Sequence, residues 1–356
     1  MKITVLVLLL ISAESINLFA QEKVILNDLI QEGVRKNPDL NSAEKAWQSE
    51  LAKVPQAGAL PDPQLSFNLM NLPVNSFDFN QEPMTGKQVA LVQMFPFPGK
   101  QGLRTRVAKE SAAVAESRYQ ELKNQLIKDL KIAYYNLFFI DHAIDITKNN
   151  TETLKQFTKI AETKYSVGKG IQQDVLRAQV ELSKMMDRQI RLEQQREELE
   201  SQLNTLLNRP VENPVGRTEE LEYSEFSFDL DRLKELADEN RPLLRAWQAM
   251  VNQSERKVQL AKKEYMPDFS LGVAYSQREV LQNGMGGVDF VSGMFSMNVP
   301  LYFWRKQGKK VEENQLARIS SEEKYSNVRN QVYSELDRVL NDIEKNKRLV
   351  ELLSGL

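Results

Sequence analysis

Few residue types in this chain could carry out chemistry. There is one histidine, His142, and there is no cysteine. Disulfides, thiolate metal sites, thiol catalysis and a lipid-modified N-terminal cysteine are therefore excluded. His142 falls in the helical pattern Tyr134 to Ile144, where a packed or solvated residue is expected rather than a general base. The eleven methionines offer no ligand set. Met185, Met186, Met294 and Met297 occupy helix-seam or strand positions, where methionine fills gaps. Carboxylates are plentiful, but they lie on charged helix flanks. No nucleophile motif, phosphate loop or metal triad is present, so no enzyme and no cofactor are expected. What remains is a set of small, uncharged polar residues: Ser66, Asn68, Ser270, Ser292, Ser296 and Asn298. Such side chains hold water without gripping an ion, which is the chemistry of a weakly selective aqueous lining.

Strands must position them. Leu65, Phe67 and Leu69 alternate with Gln64, Ser66 and Asn68, a period of two with one apolar face. A second strand is expected over 87–97, before Pro98. Phe269, Leu271, Val273 and Tyr275 alternate with Ser270, Gly272, Ala274 and Ser276. A fourth strand sets Val291, Phe295, Met297, Val299 and Leu301 near Ser292, Ser296 and Asn298. The turn Asn283-Gly284-Met285-Gly286-Gly287 is rich in residues that tolerate positive φ.

Long helices fill the rest. One is expected over 24–57, with a break at Asn37-Pro38, and another over 231–265. Leu126, Leu130, Ala133, Leu137, Ile140 and Ile144 step by four and three, and Leu154, Phe157 and Ala161 continue the seam. A helix over 100–167 would be about 100 Å long. Val167-Gly168-Lys169-Gly170 reverses the chain. Val175, Ala178, Leu182, Met185, Leu192, Leu199, Leu203 and Leu206 form the returning seam, with polar interruptions at Gln189 and Arg196. A last charged helix follows Gly308.

The landmarks recur. Pro38, Pro61-Asp62, Pro96 and Lys100-Gln101-Gly102 answer to Pro242, Pro267-Asp268, Pro300 and Lys306-Gln307-Gly308 about 205 residues later. This reads as a duplicated unit, with boundaries at 21–210 and 228–356 and a linker at 211–227. By the same offset the second copy stops inside its long helix. That helix would leave its seam without the returning partner, and a less stable, less competent channel is expected.

Charged residues make up 27% of the chain and leave a net charge of -2. That balance provides no basic field for nucleic acid. Residues 1–20 have a basic start, a short apolar run and Ala20 at a plausible cut, the parts of an export signal. Elsewhere no stretch approaches the roughly 18 apolar residues of a membrane-spanning helix. A membrane protein of this sequence would be a β-barrel, with apolar residues toward lipid and small polar ones toward a lumen. Four strands cannot close such a barrel, so several chains would be needed. Phe95, Phe97, Tyr265, Tyr302, Phe303 and Trp304 at strand ends suit a bilayer interface.

With these features the chain resembles the TolC-like outer-membrane efflux proteins. The most specific stretch is Tyr165-Ser166-Val167-Gly168-Lys169-Gly170-Ile171-Gln172-Gln173-Asp174-Val175-Leu176. The resemblance implies a mainly α fold with a pair of β-hairpins. Long antiparallel coiled-coil helices would form an α-barrel in the periplasm. Four transmembrane strands per protomer would complete a twelve-stranded β-barrel in a homotrimer. It also implies a periplasmic adaptor and an inner-membrane pump as partners, with outer-membrane lipid around the barrel. Val167, Gly168, Asp174 and Val175 would meet the adaptor, although Asp174 could equally cap the returning helix. Pro61-Asp62-Pro63 and Phe95-Pro96-Phe97-Pro98-Gly99 look most like the heavy-metal branch, so heavy-metal cations or drugs are the expected cargo of a passive exit duct. The alternative is a periplasmic coiled-coil structural or adaptor protein without a pore.

Overall fold

The computed structural model describes residues 23–221 and 228–355, so the expected export signal at 1–20 and residues 222–227 of the expected linker lie outside the described residues. The element order is α1 (Leu26–Lys36), α2 (Pro38–Gly58), β1 (Gln64–Met70), β2 (Gly86–Phe95), α3 (Lys100–Ser166) and α4 (Gln172–Leu206). It continues with α5 (Leu230–Asn240), α6 (Pro242–Lys263), β3 (Phe269–Gln277), β4 (Phe290–Met297) and α7 (Gln307–Ser354). Pro38 and Pro242 each open a helix, because proline has no amide to lose there and drives the residue before it into extended backbone. Asn37 and Arg241 are both extended. The expected single helix over 231–265 is therefore two helices, split at Arg241.

Two compact units divide the chain. One takes residues 1–38 and 124–224, the other 39–123 and 225–356. Each draws on both halves of the sequence, and α3 contributes to both.

The first unit is built on the α3 seam. Leu126, Leu130, Ala133, Leu137, Ile140 and Ile144 are all buried, as are Leu192, Leu203 and Leu207. Gly33 of α1 lies so close that a Cβ there would stand 2.7 Å from a Leu130 methyl, which explains the glycine inside that helix. Farther along α3 the seam departs from expectation. Phe157 is 57% exposed, while Thr147, Thr151 and Thr158 are buried. Thr151 and Thr158 donate to the carbonyls of Thr147 and Leu154, both at 2.8 Å, so these buried hydroxyls are satisfied within the helix.

The described part of the 211–227 segment is fastened down. Val24 and Thr218 form a parallel bridge. The Tyr134 hydroxyl donates to the Val24 carbonyl at 3.0 Å and accepts the Glu219 amide at 3.1 Å. Arg217 grips Asp145 through two nitrogens at 2.7 and 2.9 Å. Arg196, an interruption of the α4 seam, donates to Asp141 at 2.7 Å and to the Val215 carbonyl at 3.2 Å. Glu200 pairs with Arg196 and accepts the Val215 amide at 3.1 Å. Arg209 pairs with Glu32, and this contact holds the Glu32 carboxyl down at about 2.

The second unit holds the sheet and the helices around it. Trp47 of α2 stacks on Tyr119 of α3 at 5.9 Å. Leu244, Ala249, Val258 and Ala261 of α6 are buried, as is Val332 of α7, and the Ser254 and Ser321 hydroxyls meet at 3.0 Å. The Glu121 carboxylate accepts the Leu243 amide at the start of α6, where a negative charge is favoured.

Candidate functional surfaces: the two-faced sheet and the helical turn

The four strands pair in the order β1-β2-β3-β4, all antiparallel. The register aligns Ser66, Ala90, Ala274 and Ser292 in one row across the sheet. Beside it, Asn68, Gln88 and Ser276 make a polar ladder. The Asn68 amide donates to Gln88 at 3.2 Å, and the Gln88 amide donates to Ser276 at 3.1 Å. Ser270 pairs with Ser296 on the same face. Five of the six predicted lining residues therefore share one face.

That face is not uniformly small. Val92 and Met294 flank Gly272, and a Cβ at Gly272 would meet each at 3.0 Å. The glycine lets these larger neighbours close over it. Asn298 departs from expectation, because β4 ends at Met297 and leaves Val299, Leu301 and Asn298 beyond the strand. Pro300 accounts for this, since it cannot donate to a ladder. Asn298 instead hydrogen-bonds to Asp268, exchanging backbone and side-chain contacts. Likewise β2 stops at Phe95, before Pro96.

The opposite face carries large apolar residues in the open. Phe67 is 75% exposed, Val273 60% and Val291 74%, with Leu65, Leu91, Leu271, Tyr275 and Phe295 also exposed. Ala274, on the small-residue face, is fully buried. In water this is an inverted arrangement, because the bulkiest apolar groups are the least covered.

A buried ion pair fixes the corner where strands meet helices. Lys100, the first residue of α3, is buried and donates from Nζ to Asp268 and to the Met266 carbonyl, both at 2.7 Å. Asp268 also accepts the Phe97 amide at 2.8 Å. Burial pushes the Asp268 carboxyl up, but the Lys100 ammonium and the Phe97 amide outweigh it and hold the group below the usual carboxylate range.

The reversal between α3 and α4 is a glycine turn. Gly168 has φ +73, a conformation that L side chains rarely adopt. Its amide donates to the Tyr165 carbonyl at 3.0 Å, and the Lys169 amide donates to Lys164 at 2.8 Å, closing the last turn of α3. Val167 and Ile171 are exposed, and Val175 is half-buried in the α4 seam. Ile171 holds the N-cap position and no side chain caps it. Asp174 lies one turn in, so its contribution is a negative charge near the positive end of the helix rather than a cap. His142 is exposed on α3, with Nδ1 at 2.9 Å from the Phe138 carbonyl of its own helix.

The family described as outer membrane efflux protein matches residues 29–209 and 233–355. The chain belongs to that family. The outer-membrane channel OprN shares its fold with a TM-score of 0.75 at 18% identity, over 92% of this chain and 76% of OprN. The Campylobacter jejuni CmeC outer membrane channel gives 0.72 at 17% identity, over 92% of this chain and 75% of CmeC. The open state of the Neisseria gonorrhoeae MtrE outer membrane channel gives 0.73 at 16%, over 93% and 75%. No curated protein sequence matches. This outer membrane efflux protein is thus a channel component of the outer membrane and not an enzyme. The efflux protein's Arg196–Asp141 and Lys100–Asp268 pairs escaped sequence reasoning. A basic residue interrupting an apolar seam and the recurrent Pro-Asp were the available signals.

Proposed function

We propose that three copies of this chain close a twelve-stranded β-barrel, and that the efflux protein serves as a passive exit duct. The apolar face meets lipid. Ser66, Asn68, Ser270, Ser292 and Ser296 face the aqueous lumen. The observation that carries this reading is the sheet's sidedness: large apolar residues of all four strands stand exposed on one face, while Ala90, Ala274 and Ser276 are buried on the other, small-residue face. The strands run 7 to 10 residues, close to the 9–11 of a tilted membrane-spanning strand. Within the chain β1 and β4 are edges. An unpaired edge is untenable in lipid, so neighbouring copies supply the missing pairing.

The helices form the periplasmic tunnel, and Val167, Gly168, Asp174 and Val175 meet an adaptor that couples the duct to an inner-membrane pump. An exposed apolar rim around a rigid glycine turn suits such a contact. The uncharged lining grips no ion, which is compatible with heavy-metal cations or drugs in transit.

The absence of native cysteine makes the test direct. Ser292→Cys should react with a membrane-impermeant thiol reagent in the assembled protein, and Val291→Cys should not. Reaction at Val291→Cys alone would invert the facing. A detergent-extracted species of one or two copies would remove the barrel.

A further inference from the structure

We propose that the cleft between the start of α3 and the end of α6 holds the phosphate of an anionic phospholipid. The inference rests on the reading that the sheet's apolar face meets lipid.

The polar lining of the cleft is Arg106, Lys262, Lys263 and Gln259, with Leu103 and Met266 as its apolar part, and no acidic side chain lines it. All three cations are exposed, and none makes an ion pair among the described residues. Elsewhere in this unit exposed lysines do find carboxylates, as Lys309 and Lys310 do with Glu312 and Glu313. Lys262 and Lys263 stand in the last turn of α6, where the helix dipole favours cations. That explanation fails for Arg106. It lies near the start of α3, the positive end of that dipole, and the first turn of α3 has no acidic residue. Three cations thus line one cleft with no carboxylate among its lining residues, and Asp268 at the same corner is already engaged by Lys100 and the Phe97 amide.

The position selects the ligand. Gly99, at φ +91, turns the chain from Pro98 into α3 and passes beside Lys263. The Lys263 ammonium lies 5.6 Å from the centre of the Phe97 ring, two residues past the end of β2. At the same sheet end, Phe95 stacks on Phe269, whose strand partner is Met297 at the end of β4. The exposed Tyr302, Phe303 and Trp304 follow soon after. Aromatic rings mark the depth at which lipid headgroups lie, and clustered Lys and Arg at that depth attract anionic lipids. Leu103 and Met266 then offer an apolar contact that a free anion would not use.

The full chain would be reconstituted in phosphatidylcholine vesicles containing a minority of phosphatidylglycerol, then released into mild detergent and weighed with its retained lipids. The wild type should retain phosphatidylglycerol over phosphatidylcholine. Arg106→Gln with Lys262→Gln and Lys263→Gln should lower that preference by on the order of a hundredfold. Lys262→Arg with Lys263→Arg should keep it. Should the triple variant not insert, Arg106→Gln alone, at an exposed site, should lower the preference several-fold. Wild-type protein that inserts but retains both lipids equally overturns the headgroup site and leaves the barrel standing. Protein that never inserts overturns both. Inorganic phosphate displacing the lipid at equal concentration would mark a soluble-anion cleft and overturn the lipid assignment.

Discussion

The α3–α4 seam and the sheet treat large apolar residues in opposite ways. The seam buries Leu130, Leu137 and Leu203 almost completely and encloses a charged cluster around Arg196 and Asp141. The sheet buries small side chains, Ala90, Ala274 and Ser276, and leaves Phe67, Val273 and Val291 open. The chain satisfies the first arrangement by itself. The second is stable only in surroundings that are themselves apolar. The difference shows which part of the fold is specified internally and which by its environment.

The largest effect should come from breaking the charged cluster. Arg196→Ala leaves the buried Asp141 without its cation and should cost about 3 kcal/mol, read from denaturant unfolding of the extracted protein. Adding Asp141→Leu should recover most of that loss. No recovery would mean that Arg196 acts through Glu200 and Val215 instead.

Next is a charge on each face of the sheet. Val273→Arg should cost about 2–4 kcal/mol in a bilayer, and Ser292→Arg about 1 kcal/mol or less. Equal costs would erase the distinction between the faces. Smaller again is Glu32→Gln, which should cost about 1–2 kcal/mol at neutral pH. The folded carboxyl is held at about 2, against an ordinary 4.5. Its contribution is therefore complete above 4.5, fades as pH falls toward 2, and is absent below that. The variant and the wild type should converge in acid, and a gap that persists at pH 2 would assign the effect to packing. The smallest effect is Phe157→Ala, expected within about 0.5 kcal/mol because the ring is exposed.

Much of this was legible in the residues. Alternation with period two marks β1 and β3 because a sheet with one apolar face imposes that period. Proline marks the helix starts and strand ends, because a missing amide acts locally. Less legible were features that depend on distant partners. Thr151 and Thr158 replace Phe157 in the seam because a hydroxyl bonded within its own helix can be buried, which periodicity on apolar residues overlooks. The 211–221 segment reads as a linker by composition, yet Tyr134, Asp145 and Arg196 hold it. Of the site residues, five lining candidates fall on one face by parity alone. Asn298 falls outside because a single proline shortens β4. Nothing local could reveal that Lys100 and Asp268 meet, since their pairing depends on β2 finding β3.

That pairing also bears on the order of folding. Gln88 and Ser276 meet across a separation of 188 residues. No four-stranded sheet can form until β4, which ends at Met297, is available, whereas the α3–α4 hairpin, complete by Leu206, can close on itself much earlier. Long-range strand pairing is slow and leaves edges open to wrong partners in the meantime. The sheet is therefore the late, aggregation-exposed step of biogenesis, and the helical hairpin the early one.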